Sequence, residues 1–361
     1  MEGSGKREGK RRGKVLPVTS ERSVSLQRVT NDIADVLREQ GFTVMDPMLY
    51  PDAIKFTQLR FNATYIVMAF DTIWATPFFY LGYRARADGK RYVWYATVEG
   101  RVKRTGHMDW VYRELEFVAN SKYTARKLGE AGVKVKAIVP HGVDVEEAFV
   151  YGSMAPLVRR SLALSEGDFA VGYLAGPYGR KGHDVFAAVI KKVVERDRTV
   201  KFVVVTAQPA AGHYLSAPNT EVITSFGKRE KSWVWGFYHA IDLYAHPALA
   251  EGFGLPVLEA LACGKPVVHA DYMPLSEITT PETSFRVPVL DVEYAHDPYH
   301  LRTGIDYEHH IYDPEDFADA ILAAKEEVQR RRRELAEACA ERARQFDKRK
   351  VYMDIARMLD G

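Results

Sequence analysis

The chain has 361 residues, 47% of them hydrophobic, enough for two domains with cores of their own. It carries 50 basic and 48 acidic residues for a net charge of +2, and residues 1–14 alone hold six basic and two acidic side chains, so the remainder is about −2 and a nucleic-acid-binding body is excluded. Two cysteines, Cys263 and Cys339, exclude a disulfide framework and point to a reducing compartment, the cytoplasm.

Residues 1–13 lack the apolar side chains a core needs and read as a disordered basic tail. No apolar run follows the basic start, so no signal peptide is expected. Such a tail is a solubilising extension, or a contact for anionic lipid or a polyanionic acceptor that would hold the protein peripherally at a membrane. Beyond it, short apolar runs alternate with helical ones, the mark of a parallel α/β architecture. Lys14–Ser20 is a strand, Val24–Gln40 a helix closed by Gly41, and Phe42–Met48 a strand. The longest apolar stretch, Phe61–Tyr83, has Asp71 in its middle and Pro77 after it. A membrane span needs roughly 20 uninterrupted apolar residues, so a buried strand (Tyr65–Phe70) and an aromatic helix are expected instead. Strands follow at Arg91–Thr97, Leu115–Ala119 and Val135–Val139, with a helix capped by Ser121 between the last two. The turn Pro140-His-Gly-Val-Asp144 closes a first domain, residues 14–148.

The pattern restarts in a second domain, residues 149–344. Phe169–Leu174, Val200–Thr206, Glu221–Ser225, Ile241–Ala245 and Pro266–Ala270 are strands; His183–Arg196 and the aromatic Ser232–Ala240 are helices. Asp313-Pro-Glu opens a helix that runs on into a charged one, Glu326–Lys350. Its run Arg330–Arg333 lies within helical reach of Glu326, Glu327, Glu334 and Glu337 and reads as a solvated, salt-bridged face. The terminal helix, about 345–361, is expected to pack back on the first domain. Two such halves imply a cleft at the carboxyl ends of their strands.

Three segments carry chemistry. Glu251-Gly-Phe-Gly-Leu-Pro-Val-Leu-Glu259 places two carboxylates around a Gly-X-Gly turn, with Glu251 before a helix and Glu259 about two turns inside it. Such a turn presents helix N-terminal amides to an anion, phosphate above all. Arg180-Lys181-Gly182-His183 ends the glycine-bearing loop Ala175–Gly179 in two cations before a helix, which suits a diphosphate. Asn120-Ser-Lys-Tyr through Pro140-His-Gly-Val-Asp144 leads into the domain junction.

In this order and spacing the three resemble glycosyltransferase family 4 (glycosyl transferases group 1), closest across EGFGLPVLEALACGKPVV, residues 251–268, and good over about 115–280. The resemblance implies a GT-B fold: two Rossmann-like, doubly wound parallel-sheet domains facing across a cleft. It implies a retaining hexosyltransferase-like enzyme that moves a sugar from a nucleotide-diphosphate sugar to a glycan, lipid or small-molecule acceptor, with no cofactor and no metal. By that analogy Lys181 and Arg180 stabilise the departing diphosphate. The amides of Gly252, Phe253, Gly254 and Leu255 hold sugar hydroxyls or phosphate, Glu251 meets the donor sugar, and Glu259 accepts from the ribose. Fixed donors aimed at developing charge lower the barrier, each by about 3 kcal/mol.

The sequence departs from the family in three places. The arginine five positions before the loop lysine is Gly176, with Arg180 as its substitute. A first-domain histidine that meets the donor sugar is replaced by Glu99, a contact for donor sugar or acceptor. The Gly-Gly loop after the first strand is Thr19–Ser25, which offers hydroxyls and Arg22. His296, His300, His309 and His310, with Asp297 and Glu308, contain one helical ligand spacing, but Asp297-Pro298 breaks that helix. The stretch reads as an inserted loop near the cleft that shapes donor or acceptor choice. Two other readings stay open: a nucleotide-sugar epimerase or sugar phosphorylase of the same architecture, and a catalytically silent nucleotide-sugar-binding module.

Overall fold

The computed structural model describes residues 12–20, 23–50, 65–71, 87, 89–103, 113–295 and 305–360. Among the described residues eight strands precede residue 140: β1 (Arg12–Ser20), β2 (Phe42–Val44), β3 (Met48–Tyr50), β4 (Tyr65–Asp71), β5 (Arg91–Thr97), β6 (Gly100–Val102), β7 (Glu116–Ala119) and β8 (Lys134–Ile138). Eight follow: β9 (Phe169–Leu174), β10 (Val200–Val205), β11 (Thr220–Ile223), β12 (Leu243–His246), β13 (Val267–Ala270), β14 (Ser284–Val287), β15 (Asp291–Ala295) and β16 (Ile305–Ile311). One parallel sheet has the order β2-β1-β4-β5-β7-β8 with β3 beside β1, and a second parallel sheet has the order β11-β10-β9-β12-β13-β14. This is the two-sheet α/β architecture expected from the alternating pattern.

The central strands read as unbroken apolar runs because helices cover both faces of a parallel sheet. All six residues of β9 are buried, as are Val15–Ser20 of β1. Helix α1 (Val24–Glu39) is capped by Ser23, whose hydroxyl accepts from the Leu26 amide at 3.3 Å, and it buries Leu26, Val29, Ile33, Val36 and Leu37 at helical spacing. Helix α2 (Lys122–Glu130) is capped by Ser121 through the Thr124 amide at 3.0 Å. In the second half, α3 (His183–Arg196) lays Phe186, Val189, Ile190 and Val193 on the core. Each contributes about 1.5–3 kcal/mol by burial, so Ile190→Ala would cost about 2–5 kcal/mol. Helices α4 (Lys231–Ala240) and α5 (Leu255–Ala262) follow, then α6 (Pro314–Arg344), kinked at Arg331, and α7 (Met353–Asp360).

The chain ends on its own first sheet. Arg91 donates to the Leu359 carbonyl at 3.4 Å, and Arg12 pairs with Asp360 at 3.2 Å. Lys348, buried where the chain crosses over, meets Asp32 at 3.0 Å and Asp144 at 2.9 Å.

Several elements differ from expectation. Phe42–Met48 is two short strands, because Pro47 between them lacks a ladder donor. The charged helix stops at Arg344, and Glu259 is the fifth residue of α5, little more than one turn inside it. Arg330 and Arg333 pair along the helix with Glu327 and Glu337, but Arg332 reaches the buried Asp242 at 2.6 Å. The largest difference is a third sheet, β15-β16-β6, antiparallel throughout. It carries His309 and His310 on a strand, and β16 pairs with β6 of the first half. Gly100 permits that pairing, since a Cβ there would lie 1.9 Å from the Asp306 carbonyl oxygen. His296, Asp297 and His300 lie outside the described residues, as do Arg22, residues 1–11, and Phe61–Tyr83 apart from β4. Among the described residues no helix is long and apolar enough to cross a membrane, and no group of three His, Cys, Asp or Glu is placed to hold a metal ion.

Candidate functional site

A cavity of about 240 Å³ opens where β1, β5 and β9 end. The first half supplies Ser20, Ser23–Leu26, Thr97, Glu99 and His141; the second supplies Leu174–Gly176, Tyr178, Arg180, Lys181, Phe226 and Gly252–Pro256 with Glu251. Ile305 and Tyr307 of β16 complete the wall. Open sheets place ligands at this end of their strands.

Two glycines shape the second half's contribution. Gly254 takes φ +98 as the N-cap of α5, a conformation that disfavours any side chain. Gly252 lets the halves touch: a Cβ there would stand 2.3 Å from Thr97 Cγ2. Its carbonyl accepts from the Ser121 hydroxyl at 3.2 Å, so the cap of α2 also holds the turn. Phe253, Gly254 and Leu255 line the cavity beside it, at the positively polarised end of α5.

The charged groups are paired. Lys181 Nζ is in contact with Glu251 Oε1, and His246 Nε2 lies 3.0 Å from the same oxygen. Burial would raise the Glu251 carboxyl, but Lys181, the His246 hydrogen bond and Arg180 outweigh it and hold the acid well below the usual range. Burial and Arg180 pull Lys181 down while Glu251 pulls it up; an ammonium touching an ionised carboxylate is an ion pair. Burial keeps His246 neutral, so Nε2–H donates to Glu251, and Nδ1 has no hydrogen-bond partner among the described residues. Arg180 pairs with Glu99 at 2.7 Å and donates to the Ala250 carbonyl at 3.2 Å.

The floor is a neutral network. The Tyr95 hydroxyl donates to the Val139 carbonyl at 2.8 Å and accepts from His141 Nδ1 at 2.9 Å. His141 Nε2 then accepts from Asn120 at 3.1 Å, and Asn120 also donates to Thr97 at 3.0 Å. Burial lowers His141 to about 3. His183 ties down the glycine loop, donating from Nε2 to the Gly176 carbonyl at 2.9 Å while Nδ1 accepts from Tyr214 at 2.8 Å.

Of the residues singled out in the sequence, Glu251, Lys181, Arg180, Gly252, Phe253, Gly254, Leu255 and Glu99 share this cavity. Glu259 is not among its lining residues: its oxygens meet Arg28 at 2.5 Å and the Tyr238 hydroxyl at 2.6 Å. Arg22 lies outside the described residues. His246 and His141 escaped sequence reasoning, although His141 sits in the singled-out turn Pro140–Asp144; His246 directly follows the strand expected at Ile241–Ala245. Tyr307 could not be foreseen, because the β6–β16 pairing that delivers it spans some 200 positions.

Residues 169–326 match the family model for glycosyl transferases group 1. Over 339 residues the chain is 28% identical to the uncharacterized glycosyltransferase 335 of Sulfolobus islandicus rod-shaped virus 1, covering 91% of this chain and 95% of the relative. It is 26% identical over 190 residues to the D-inositol 3-phosphate glycosyltransferase of Rhodococcus erythropolis, covering 48% of this chain and 42% of that one. Among solved structures it is similar to Anabaena HepE in complex with UDP-glucose, at TM-score 0.71 and 17% identity over 96% of this chain and 99% of that one. Sucrose-phosphate synthase from Thermosynechococcus elongatus superposes at TM-score 0.66 and 13% identity, over 96% and 98%.

Proposed function

We propose that this chain, whose residues 169–326 match the model for glycosyl transferases group 1 and whose GT-B fold is shared by solved glycosyltransferases, transfers a sugar from a nucleotide-diphosphate sugar with retention and without a metal. The observation that carries this is the cluster Arg180, Lys181 and Glu251 in one cavity between two sheets, beside the N-termini of α3 and α5. In the proposed reaction the bond between the anomeric carbon and the diphosphate breaks and negative charge grows on the leaving phosphate. Arg180, Lys181 and the amides at Gly254 and Leu255 supply fixed positive charge for it, the part a divalent cation plays elsewhere. Glu251 is ionised and braced by Lys181 and His246, so its role is to accept a hydroxyl of the donor sugar, not to give a proton. His141 and His246, both neutral, shape the site without adding charge.

A UDP-sugar donor is supported by the neighbour solved with UDP-glucose. The acceptor is a glycan, lipid or small molecule, and action at the cytoplasmic face of a membrane through residues 1–11 belongs to the same reading; Arg12 and Gly13, expected in the tail, are part of β1. The test is incubation of the protein with a panel of UDP- and GDP-sugars in excess EDTA. Slow release of nucleoside diphosphate without acceptor is expected for one of them, and a product whose anomeric configuration, read by NMR, matches the donor's. An inverted product would overturn retention; turnover only with added manganese or magnesium would overturn metal independence.

A further inference from the structure

The stretch that leads from β12 to Glu251 is neither helix nor strand, yet each of its carbonyls from Pro247 to Ala250 meets a donor. The Tyr312 hydroxyl donates to the Pro247 carbonyl at 2.6 Å, and the Tyr272 hydroxyl to the Ala248 carbonyl at 2.8 Å. Leu249 accepts from the His310 amide at 2.8 Å and from His310 Nδ1 at 3.1 Å, and Ala250 accepts from Arg180 at 3.2 Å. The donors support one another, since the His310 ring lies flat on Tyr272 at 3.9 Å. The far side of the stretch is closed by the cationic turn. The Arg180 carbonyl accepts from the Leu249 amide at 2.8 Å, and a Cβ on Gly182 would stand 2.2 Å from the Pro247 oxygen. The turn that carries Lys181 therefore lies directly against the loop that carries Glu251.

His310 comes from β16, and that strand spans the cleft. Its Glu308 amide donates to the Glu99 carbonyl of the first half at 3.1 Å, and its His310 amide donates to Leu249 of the second. Amides two residues apart on a strand point the same way and stand roughly 7 Å apart. One strand edge thus spaces the two loops that face each other in the site. We propose that Tyr272, His310 and Tyr312 are positioning residues for Glu251: they clamp the backbone ahead of it and so fix where its carboxylate meets Lys181 and the donor sugar. None of the three is among the cavity's lining residues, so they reach the reaction only through that loop. A carboxylate that must accept a sugar hydroxyl has to be held to within roughly 0.5 Å, and a loop whose carbonyls were left to water would not hold it so.

This rests on the glycosyltransferase reading above, and two measurements separate them. The first needs no substrate. Hydrogen exchange of the Leu249 and Ala250 amides is compared between the wild type and Tyr272→Phe/Tyr312→Phe, which removes two hydroxyls and keeps both rings. Exchange about tenfold faster there, with β9 and α3 unchanged, is expected; unchanged exchange would overturn the clamp. The second is release of nucleoside diphosphate, without acceptor, from a panel of UDP- and GDP-sugars. In the double variant kcat is expected to fall about tenfold with KM within about twofold, the scale of one to two hydrogen bonds. In a Glu251→Gln background the same two substitutions are expected to change kcat by less than about twofold, because their effect runs through that carboxylate. An equal fall in both backgrounds, or a lower melting temperature with kcat unchanged, would make the tyrosines merely structural and overturn the proposal. No release by the wild type from any sugar of the panel would overturn the transferase reading instead, and the exchange result would still decide the clamp.

Discussion

Arg28 and Glu259 meet at 2.5 Å between α1 and α5, tying the first half of the chain to the second. The guanidinium lies over the Trp235 ring at 4.9 Å, and the second carboxylate oxygen takes the Tyr238 hydroxyl. Arg28→Met removes the charge and leaves Glu259 buried with one hydroxyl. Stripping one partner from a buried pair typically costs about 3–5 kcal/mol; here the arginine is partly exposed, so about 2–3 kcal/mol is expected in urea unfolding. A loss under about 0.5 kcal/mol would mean that the pair does not brace the two halves.

What was legible in the sequence follows a physical divide. The strands Arg91–Thr97 and Phe169–Leu174 and the helix His183–Arg196 fall within their predicted bounds because apolar periodicity and local caps define them. The grouping of Glu251 with Lys181 was readable as well, since a Gly-X-Gly turn and a cationic loop each announce a helix start. The third sheet was not. β16 is a mixed polar strand, Ile-Asp-Tyr-Glu-His-His-Ile, whose partner β6 is three residues long, and no local signal specifies so distant a pairing. Its polar residues are buried because neighbouring elements answer them: Glu308 takes Lys127 of α2 and, at 2.9 Å, the Tyr294 hydroxyl of β15. The place of Glu259 was hidden for a related reason, since Arg28 lies 231 positions away.

That Glu308 cluster makes stability depend on pH in a definite direction. Burial would raise the Glu308 carboxyl, but His310, Lys127 and Tyr294 bring it down to about 2. The folded state therefore holds fewer protons than the unfolded one between about pH 4.5 and pH 2. The stabilisation, about 3 kcal/mol, is fully present above that window and lost as pH falls through it. Glu308→Gln should be less stable than the wild type at pH 7, and roughly two-thirds of the gap should close by pH 3. Urea midpoints at the two pH values check this; a gap independent of pH would show that the charge of Glu308 is not what holds the hairpin.

Glu251→Gln should slow sugar transfer about a hundredfold while nucleoside diphosphate binding survives within about threefold. The amide keeps the shape but cannot hold Lys181 as an ion pair or accept a sugar hydroxyl as strongly. Loss of a charge-assisted contact made in the transition state costs about 3 kcal/mol, roughly a hundredfold in rate. Turnover and nucleotide binding measured on the same preparation decide the matter. Near-normal turnover would remove Glu251 from the reaction.

Lys181→Ala should cost more than Arg180→Ala, and in two ways. Lys181 is the direct partner of Glu251, so its removal strands an enclosed carboxylate as well as removing a leaving-group cation. Arg180 is paired with Glu99, and both of those side chains keep some contact with solvent, 14% and 17% exposed, so its loss leaves a carboxylate that water can still reach. In the proposed reaction both cations act on charge that grows as the sugar–phosphate bond breaks, so the deficits should fall on kcat more than on KM. For Lys181→Ala the expected fall in kcat is about a hundredfold or more, with a lower melting temperature. For Arg180→Ala it is about tenfold with little change in melting, at about 1.4 kcal/mol per decade of rate. Steady-state kinetics and melting curves on both variants separate the catalytic loss from the structural one. An Arg180→Ala enzyme with unchanged kcat would leave Lys181 and the amides at the start of α5 as the stabilisers of the leaving group.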